Sequence, residues 1–229
     1  MLFSSYPFIF LFLPLVVLVY FAALRFVGRG AALGSLIVAS LIFYAAWNPV
    51  FLWLLLGSAG FNYAISRGLS PGARHLRARL VLGITVNLLT LAYFKYTAFL
   101  LESWNLVAKA PVDVPTILLP LAISFFTFQQ ITYLVDRSKG LVEDHGFGEY
   151  VLFVVFFPQL IARPIVHHRE MMAQFVAPVG VNAERLARGF SWFVCGLFKK
   201  TVIADTLGMY VAPVFKAVEN NDGASLFEA

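Results

Sequence analysis

Charge is scarce in this chain: Asp, Glu, Lys and Arg together make 13% of its 229 residues. Soluble domains carry about 25% charged residues and about 45–50% apolar ones. Here 60% of residues are hydrophobic and mean hydropathy is +0.82, too much apolar surface for a water-soluble fold to hide. The composition points to a bilayer as the solvent. Cysteine occurs once, at Cys195, which excludes an intrachain disulfide and any CxxC metal motif. Within "FSWFVCGLF" it is expected to be a small buried residue rather than a nucleophile. The sequence also lacks a GxSxG elbow, an HExxH pair, and the Lys-Ser/Thr end that would make "GLSPGARH" a phosphate-binding loop. No basic stretch precedes the first apolar run, so Tyr6 to Leu24 reads as a membrane helix rather than a cleavable signal. Neither an internal repeat nor a low-complexity tract interrupts the chain.

What is present is a series of apolar runs of membrane-spanning order, where about 20 residues are needed to cross. The first contains Pro7 and Pro14 but no charge before Arg25. Ala31 to Ala46 and Pro49 to Ile65 follow, hinged at "WNP", where Pro49 disfavours helix at Asn48 and Trp47 and Trp53 suit the interfacial belt. Then come Leu80 to Leu101, Thr116 to Val135, Tyr150 to Val166, and a last run from Phe190 to about Phe215. An amphipathic stretch with Met171, Met172 and Phe175 precedes that last run. The expected fold is all-α: one polytopic membrane domain over residues 1–229, with about six to seven membrane-embedded helices.

The net charge of +5 does not read as a nucleic-acid footprint, because Lys and Arg fall mainly between apolar runs and form no aromatic-interleaved patch. It reads as topology. Arg25 and Arg29 flank one loop, and Arg67, Arg74, Arg77 and Arg79 crowd the next loop on the same side. The "WNP" turn and the 102–115 loop are nearly free of Lys and Arg, which places the N-terminus outside and the Arg67–Arg79 loop in the cytoplasm. Lys95, near the far end of its run, is expected to snorkel to the interface.

Two stretches place polarity inside the apolar runs. In "ILLPLAISFFTFQQITYLVD", Ser124, Thr127 and Gln130 share a helical face, flanked by Gln129 and Thr132. Lipid offers these groups no partner, so they serve either as helix–helix contacts or as the lining of a substrate chamber. In "FFPQLIARPIVHHRE", Pro158 and Pro164 each remove a backbone donor, so a broken or re-entrant segment near Pro158–Pro164 is expected, with Gln159 inside it. Adjacent His167 and His168 point about 100° apart on a helix, which does not make a metal pair. They and His145 read as loop histidines, so no metal site is expected.

Taken in order, "MLFSSYPFIFLFLPL", "FYAAWNP", "NYAISRGL", "FKYTAFL", "LPLAISFFTFQQITYLVDRSKG", "FFPQLIARPIV" and "GLFKKTVIADTLGMYVAPVF" resemble the membrane-bound O-acyltransferase family, in its bacterial alginate O-acetyltransferase branch. The resemblance implies a multi-pass protein of the bacterial inner membrane, with helices around a funnel or tunnel. It implies transfer of an acyl group, usually acetyl, from a cytoplasmic thioester such as acetyl-CoA, with no bound cofactor. The acceptor in this branch is an exopolysaccharide, often reached through a periplasmic acyltransferase partner. Ser124, Thr127, Gln129, Gln130, Pro158, Gln159 and Pro164 become the expected chamber-lining and shaping residues. A non-enzymatic transporter or export component, which also uses broken helices, is the alternative.

The family's essential histidine lies in a later helix after an "RRWH"-type motif. His75, His145, His167 and His168 match neither context, so no catalytic residue is expected before Ala229. At "LIARPI" the family usually has Gly where Arg163 stands, which exchanges close backbone approach for a fixed charge. The family is about twice this long, which leads us to expect that the chain is its N-terminal portion; reading the DNA past the Ala229 codon checks this. The purified 229-residue chain is expected to show no acyl transfer; acetylated polysaccharide in that assay would overturn the expectation.

Overall fold

A computed structural model gives the placement of residues 3–108, 112–142, 145–162, 171–172, 174–175 and 182–219. Helices dominate. A π-helical turn over Phe8–Phe12 leads into α1 (Leu13–Phe26), followed by α2 (Arg29–Ala45), α3 (Val50–Ser66), α4 (Leu76–Val107) and α5 (Ile123–Ser138). Then come α6 (Phe147–Val155), α7 (Phe157–Ala162), α8 (Ala183–Phe198), a π-helical segment Lys199–Ala204, and α9 (Asp205–Glu219). Among the described residues there is no strand. Contacts divide the chain into two compact units, one within Val16–Ala177 and one formed by Leu2–Leu15 with Pro178–Ala229.

Local chemistry sets the helix boundaries. Gly28, at φ 120°, starts α2 from a backbone conformation that a side chain would strain. Asn48 Oδ1 accepts the Val50 N–H at 2.9 Å, so the "WNP" turn feeds straight into α3. The fifth apolar run becomes helical only at Ile123, not at the expected Thr116. Pro115 and Pro120 push their preceding residues away from helix, and residues 112–120 carry no helix. The side chain of Asn105 holds this segment, donating to Val112 O at 2.7 Å and accepting from Val112 N at 2.8 Å.

In the first unit, α2 and α3 both pack on α6, α3 and α4 pack on α5, and α7 lies against α2. Tyr150 through Val155 are all buried, so beyond its first turn α6 is enclosed on every side, as a helical stretch without a polar face must be. Around it sit Tyr44, Leu55, Ala59, Ile123, Phe126 and Tyr133. At one end of the unit Arg29 pairs with Glu149 at 3.2 Å, Tyr63 Oη donates to His145 O, and Arg79 donates to Gly68 O. At the other end Tyr44 Oη donates to Leu121 O. From α2 to α6 successive helices therefore alternate direction, and Arg29 and the arginine-rich loop between α3 and α4 gather at one end.

Two helical stretches among the described residues are long and apolar enough to cross a membrane: Phe8–Phe26 and Leu76–Val107. Leu15, Leu18, Val81, Leu82, Leu89, Phe99 and Leu100 on them are exposed, a surface suited to lipid. The shorter α2 and α3 are apolar helices of 17 residues each. Lys95 is exposed, with Nζ 5.5 Å from the Tyr96 ring centroid.

The second unit contains Phe8 and Phe12, both buried with their rings 5.7 Å apart. It also contains one continuous helical run from Ala183 to Glu219, which encloses the expected Phe190–Phe215 segment. Asn182 caps it by accepting the Glu184 N–H at 2.8 Å. Cys195 corrects an expectation: it is exposed, because no side chain of α8 is buried.

At Gly83 on α4, an added Cβ would meet Leu134 Cδ1 at 2.7 Å and Ile65 Cγ2 at 3.2 Å. Gly83→Val is therefore expected to destabilise by about 1–3 kcal/mol through overpacking. Gly57→Ala on α3, which meets nothing within 4 Å, is expected to be neutral or stabilising. Thermal unfolding in detergent reads both.

Candidate functional site

The sixth apolar run forms the expected interrupted helix. The break falls at Phe156, whose φ −55° and ψ 107° leave the helical region between α6 and α7. Pro158 then occupies the first turn of α7, where its missing N–H costs least. The N–H groups of Gln159 and Leu160 both turn back to Phe156 O at 3.0 Å.

A break inside an apolar interior releases backbone groups that need partners. In an unbroken helix the Phe157 N–H would donate to Phe153 O. Instead, the Phe157 N–H donates to Ser40 Oγ of α2 at 3.3 Å, while Ser40 donates to Leu36 O at 2.7 Å. Phe153 O accepts Gln129 Nε2 of α5 at 2.7 Å. Two side chains from two helices thus take up both halves of the Phe157–Phe153 bond that the break removes. Ser40, Gln129, Phe153 and Phe157 are all buried, and Phe157 also packs on the Phe43 ring.

Next to this junction lies a second polar group. Gln130 donates through Nε2 to Ser58 Oγ of α3 at 3.0 Å, and its Oε1 accepts the Tyr150 hydroxyl of α6 at 3.3 Å. One turn along α3 from Ser58, Asn62 and Asn87 exchange amide hydrogen bonds at 3.1 and 2.6 Å, joining α3 to α4. Each Asn also back-bonds its own helix, at Ser58 O and Gly83 O.

The expected site residues divide accordingly. Thr127, Gln129 and Gln130 are buried, Gln129 bonding α6 and Gln130 bonding α3 and α6, while Ser124 and Pro158 are half-buried. Gln159 is buried, and among the described residues its Oε1 has no hydrogen-bond partner. Pro164, Arg163, His167 and His168 lie outside the described residues. Of the remaining histidines, His145 sits 3.4 Å from Glu149, and His75 precedes α4 with φ 63°. The sequence reading missed Ser40, Ser58, Asn62, Asn87 and Tyr150. A signal existed for the asparagines: each is a lone amide in an apolar run, and such amides seek one another across helices.

The profile of the membrane-bound O-acyltransferase family matches residues 79–229. The chain belongs to the membrane-bound O-acyltransferase family. A peptidoglycan O-acetyltransferase from Helicobacter pylori is 41% identical over 90% of this chain and 45% of its own length. A probable alginate O-acetylase AlgI from Pseudomonas aeruginosa is 38% identical over 90% of the chain and 40% of its own length. A teichoic acid D-alanyltransferase from Streptococcus thermophilus is 22% identical over 45% of the chain. The chain thus spans less than half the length of these relatives, and no solved structure matches it. The interrupted helix lies within the part that the membrane-bound O-acyltransferase profile covers.

Gln129→Leu strips Phe153 O of its partner and is expected to destabilise the protein by about 1–3 kcal/mol. Ser40→Ala is expected to act in the same direction through the Phe157 N–H. Thr132→Ala, which loses only a bond to Phe128 O on its own helix, is expected to stay within about 0.5 kcal/mol. Denaturant unfolding in micelles checks the three.

Proposed function

We propose that this chain forms the N-terminal membrane portion, as one domain over residues 1–229, of an O-acyltransferase acting on a cell-surface polysaccharide. The acyl group, most simply acetyl, comes from a cytoplasmic thioester such as acetyl-CoA and crosses within a multi-pass fold of the bacterial inner membrane. A periplasmic acyltransferase completes delivery. The observation carrying this reading is the match to O-acetyltransferases over nine-tenths of the chain. The relatives' names supply two candidate acceptors, peptidoglycan and alginate.

In this reading the interrupted helix forms the chamber wall, with Ser124, Thr127, Gln129, Gln130, Pro158, Gln159 and Pro164 lining or shaping it. No residue of the chain acts as the base; a histidine beyond Ala229 does so. The amide oxygen of Gln159, without a partner among the described residues, gives this wall an acceptor for a substrate N–H or O–H.

Gln159→Leu separates a chamber role from a structural one. Removing an unsatisfied buried oxygen is expected to leave stability unchanged or raised. If the oxygen receives substrate, acetyl transfer falls about tenfold or more, as loss of one hydrogen bond worth about 1.4 kcal/mol implies. The assay measures O-acetyl on peptidoglycan and on alginate, in separate hosts lacking their own O-acetyltransferase. Full complementation by Gln159→Leu would remove Gln159 from the chamber. Absence of O-acetyl on both polymers with the unaltered full-length gene would overturn the proposed function.

A further inference from the structure

Helix α8 is built for a different position from the helices before it. Arg185 and Arg188 lie in its first two turns, and Lys199 and Lys200 follow its last residue. The uncharged stretch between them, Gly189 to Phe198, is about 15 Å long at 1.5 Å per residue. That is half of the ~30 Å hydrocarbon core, so an upright helix here would carry cations to core depth. Consistent with this, the run from Ala183 is absent from the helices apolar enough to cross.

The side chains of α8 sort by face. Leu186, Phe190, Phe193, Val194 and Leu197 recur at the spacing of one helical stripe. Arg188, Cys195 and Lys199, seven and four residues apart, fall on the opposite side, with Arg185 and the Trp192 indole beside them. Among the described residues the helix is largely uncovered: Phe190 is 68% exposed, Phe198 55% and Leu186 46%, while Phe193 and Leu197 are half-buried. The segment 184–205 holds four cations (Arg185, Arg188, Lys199, Lys200) and two acids (Glu184, Asp205), a net of 4 − 2 = +2. Both acids are already engaged, Glu184 by Arg188 at 2.8 Å and Asp205 by Lys200 at 2.7 Å. Among the described residues, Arg185 and Lys199 therefore have no acidic partner.

We propose that α8 lies in the plane of the membrane surface, its apolar stripe among acyl chains and its cationic stripe against anionic lipid headgroups. This matches the pattern of interfacial helices, in which apolar area and attraction to anionic lipid act together. The occupant of the apolar stripe is lipid. The net +2 selects anionic over zwitterionic headgroups. The inference concerns placement and lipid partner, so it stands whether or not the acyltransferase reading holds.

Cys195, the chain's single cysteine, sits on the cationic stripe and reports the arrangement directly. The full-length protein, with any thiol outside this segment replaced by Ser, is reconstituted in permeabilised vesicles of phosphatidylethanolamine and phosphatidylglycerol. It is then treated with a membrane-impermeant maleimide. Cys195 is expected to label readily, and Val194→Cys, made with Cys195→Ala, at least about tenfold more slowly. A fluorophore at position 194 is expected to be quenched by bromines placed on lipid acyl chains. In phosphatidylcholine vesicles, or with Arg185→Gln and Lys199→Gln combined, that quenching is expected to fall by at least half. Protection of both positions would mean that α8 crosses the membrane or is covered by protein. Quenching equal in anionic and zwitterionic vesicles would remove the headgroup preference. Either result overturns the proposal.

Discussion

A helix that breaks in an apolar interior sets the central constraint on this molecule. The groups there are buried, and a backbone group released from the helix needs a replacement partner. At Phe156 the replacements are Gln129 and Ser40, one on each flank of the interruption. Because they come from α5 and α2, the break fixes the distance and rotation of both helices relative to α6. The break is thus a joint: the irregular backbone specifies the packing around it.

The other polar contacts extend this logic outward. Gln130 ties α5 to α3 and α6 through Ser58 and Tyr150, and the Asn62–Asn87 pair ties α3 to α4. Helix association in lipid lacks the hydrophobic drive of water, and close packing and interhelical hydrogen bonds take its place. Gly83 adds close approach, bringing α4 within reach of Leu134 and Ile65. Orientation along the bundle follows from a few directional bonds, while apolar side chains fill the space between.

The helices themselves were largely legible in the sequence, because long apolar runs with charge mostly at their margins leave few alternatives. The interruption was legible too, through Pro158, although its position was not. Proline fixes its own φ and lacks a donor, but the turn occurs at Phe156, where the chain can leave the helix before the proline's ring must be accommodated. The face of Ser124, Thr127 and Gln130, flanked by Gln129 and Thr132, was expected to be polar and inward; Thr127, Gln129 and Gln130 are buried, whereas Ser124 and Thr132 are half-buried. Its partner Ser58 was not foreseen, since that serine becomes special only through Gln130, 72 positions away, as Ser40 does through Phe157, 117 positions away. Cys195 failed for a related reason. An apolar window predicts burial in something, and for α8 that something is not a neighbouring side chain of the described chain.

Helix α4 bears on how this protein meets membranes of different thickness. At 32 residues it is about 48 Å long, far more than the hydrocarbon layer, yet its uncharged centre is shorter. Arg77 and Arg79 stand before that centre and Glu102 after it, with Lys95 able to reach toward the latter end. The helix therefore has slack at both ends. A thinner or thicker bilayer can be met by a change of tilt or by sliding the charged ends through the headgroups. Because α5 and α3 are locked to its middle by Asn87 and Gly83, such an adjustment moves the bundle as a body and leaves the joint at Phe156 undisturbed.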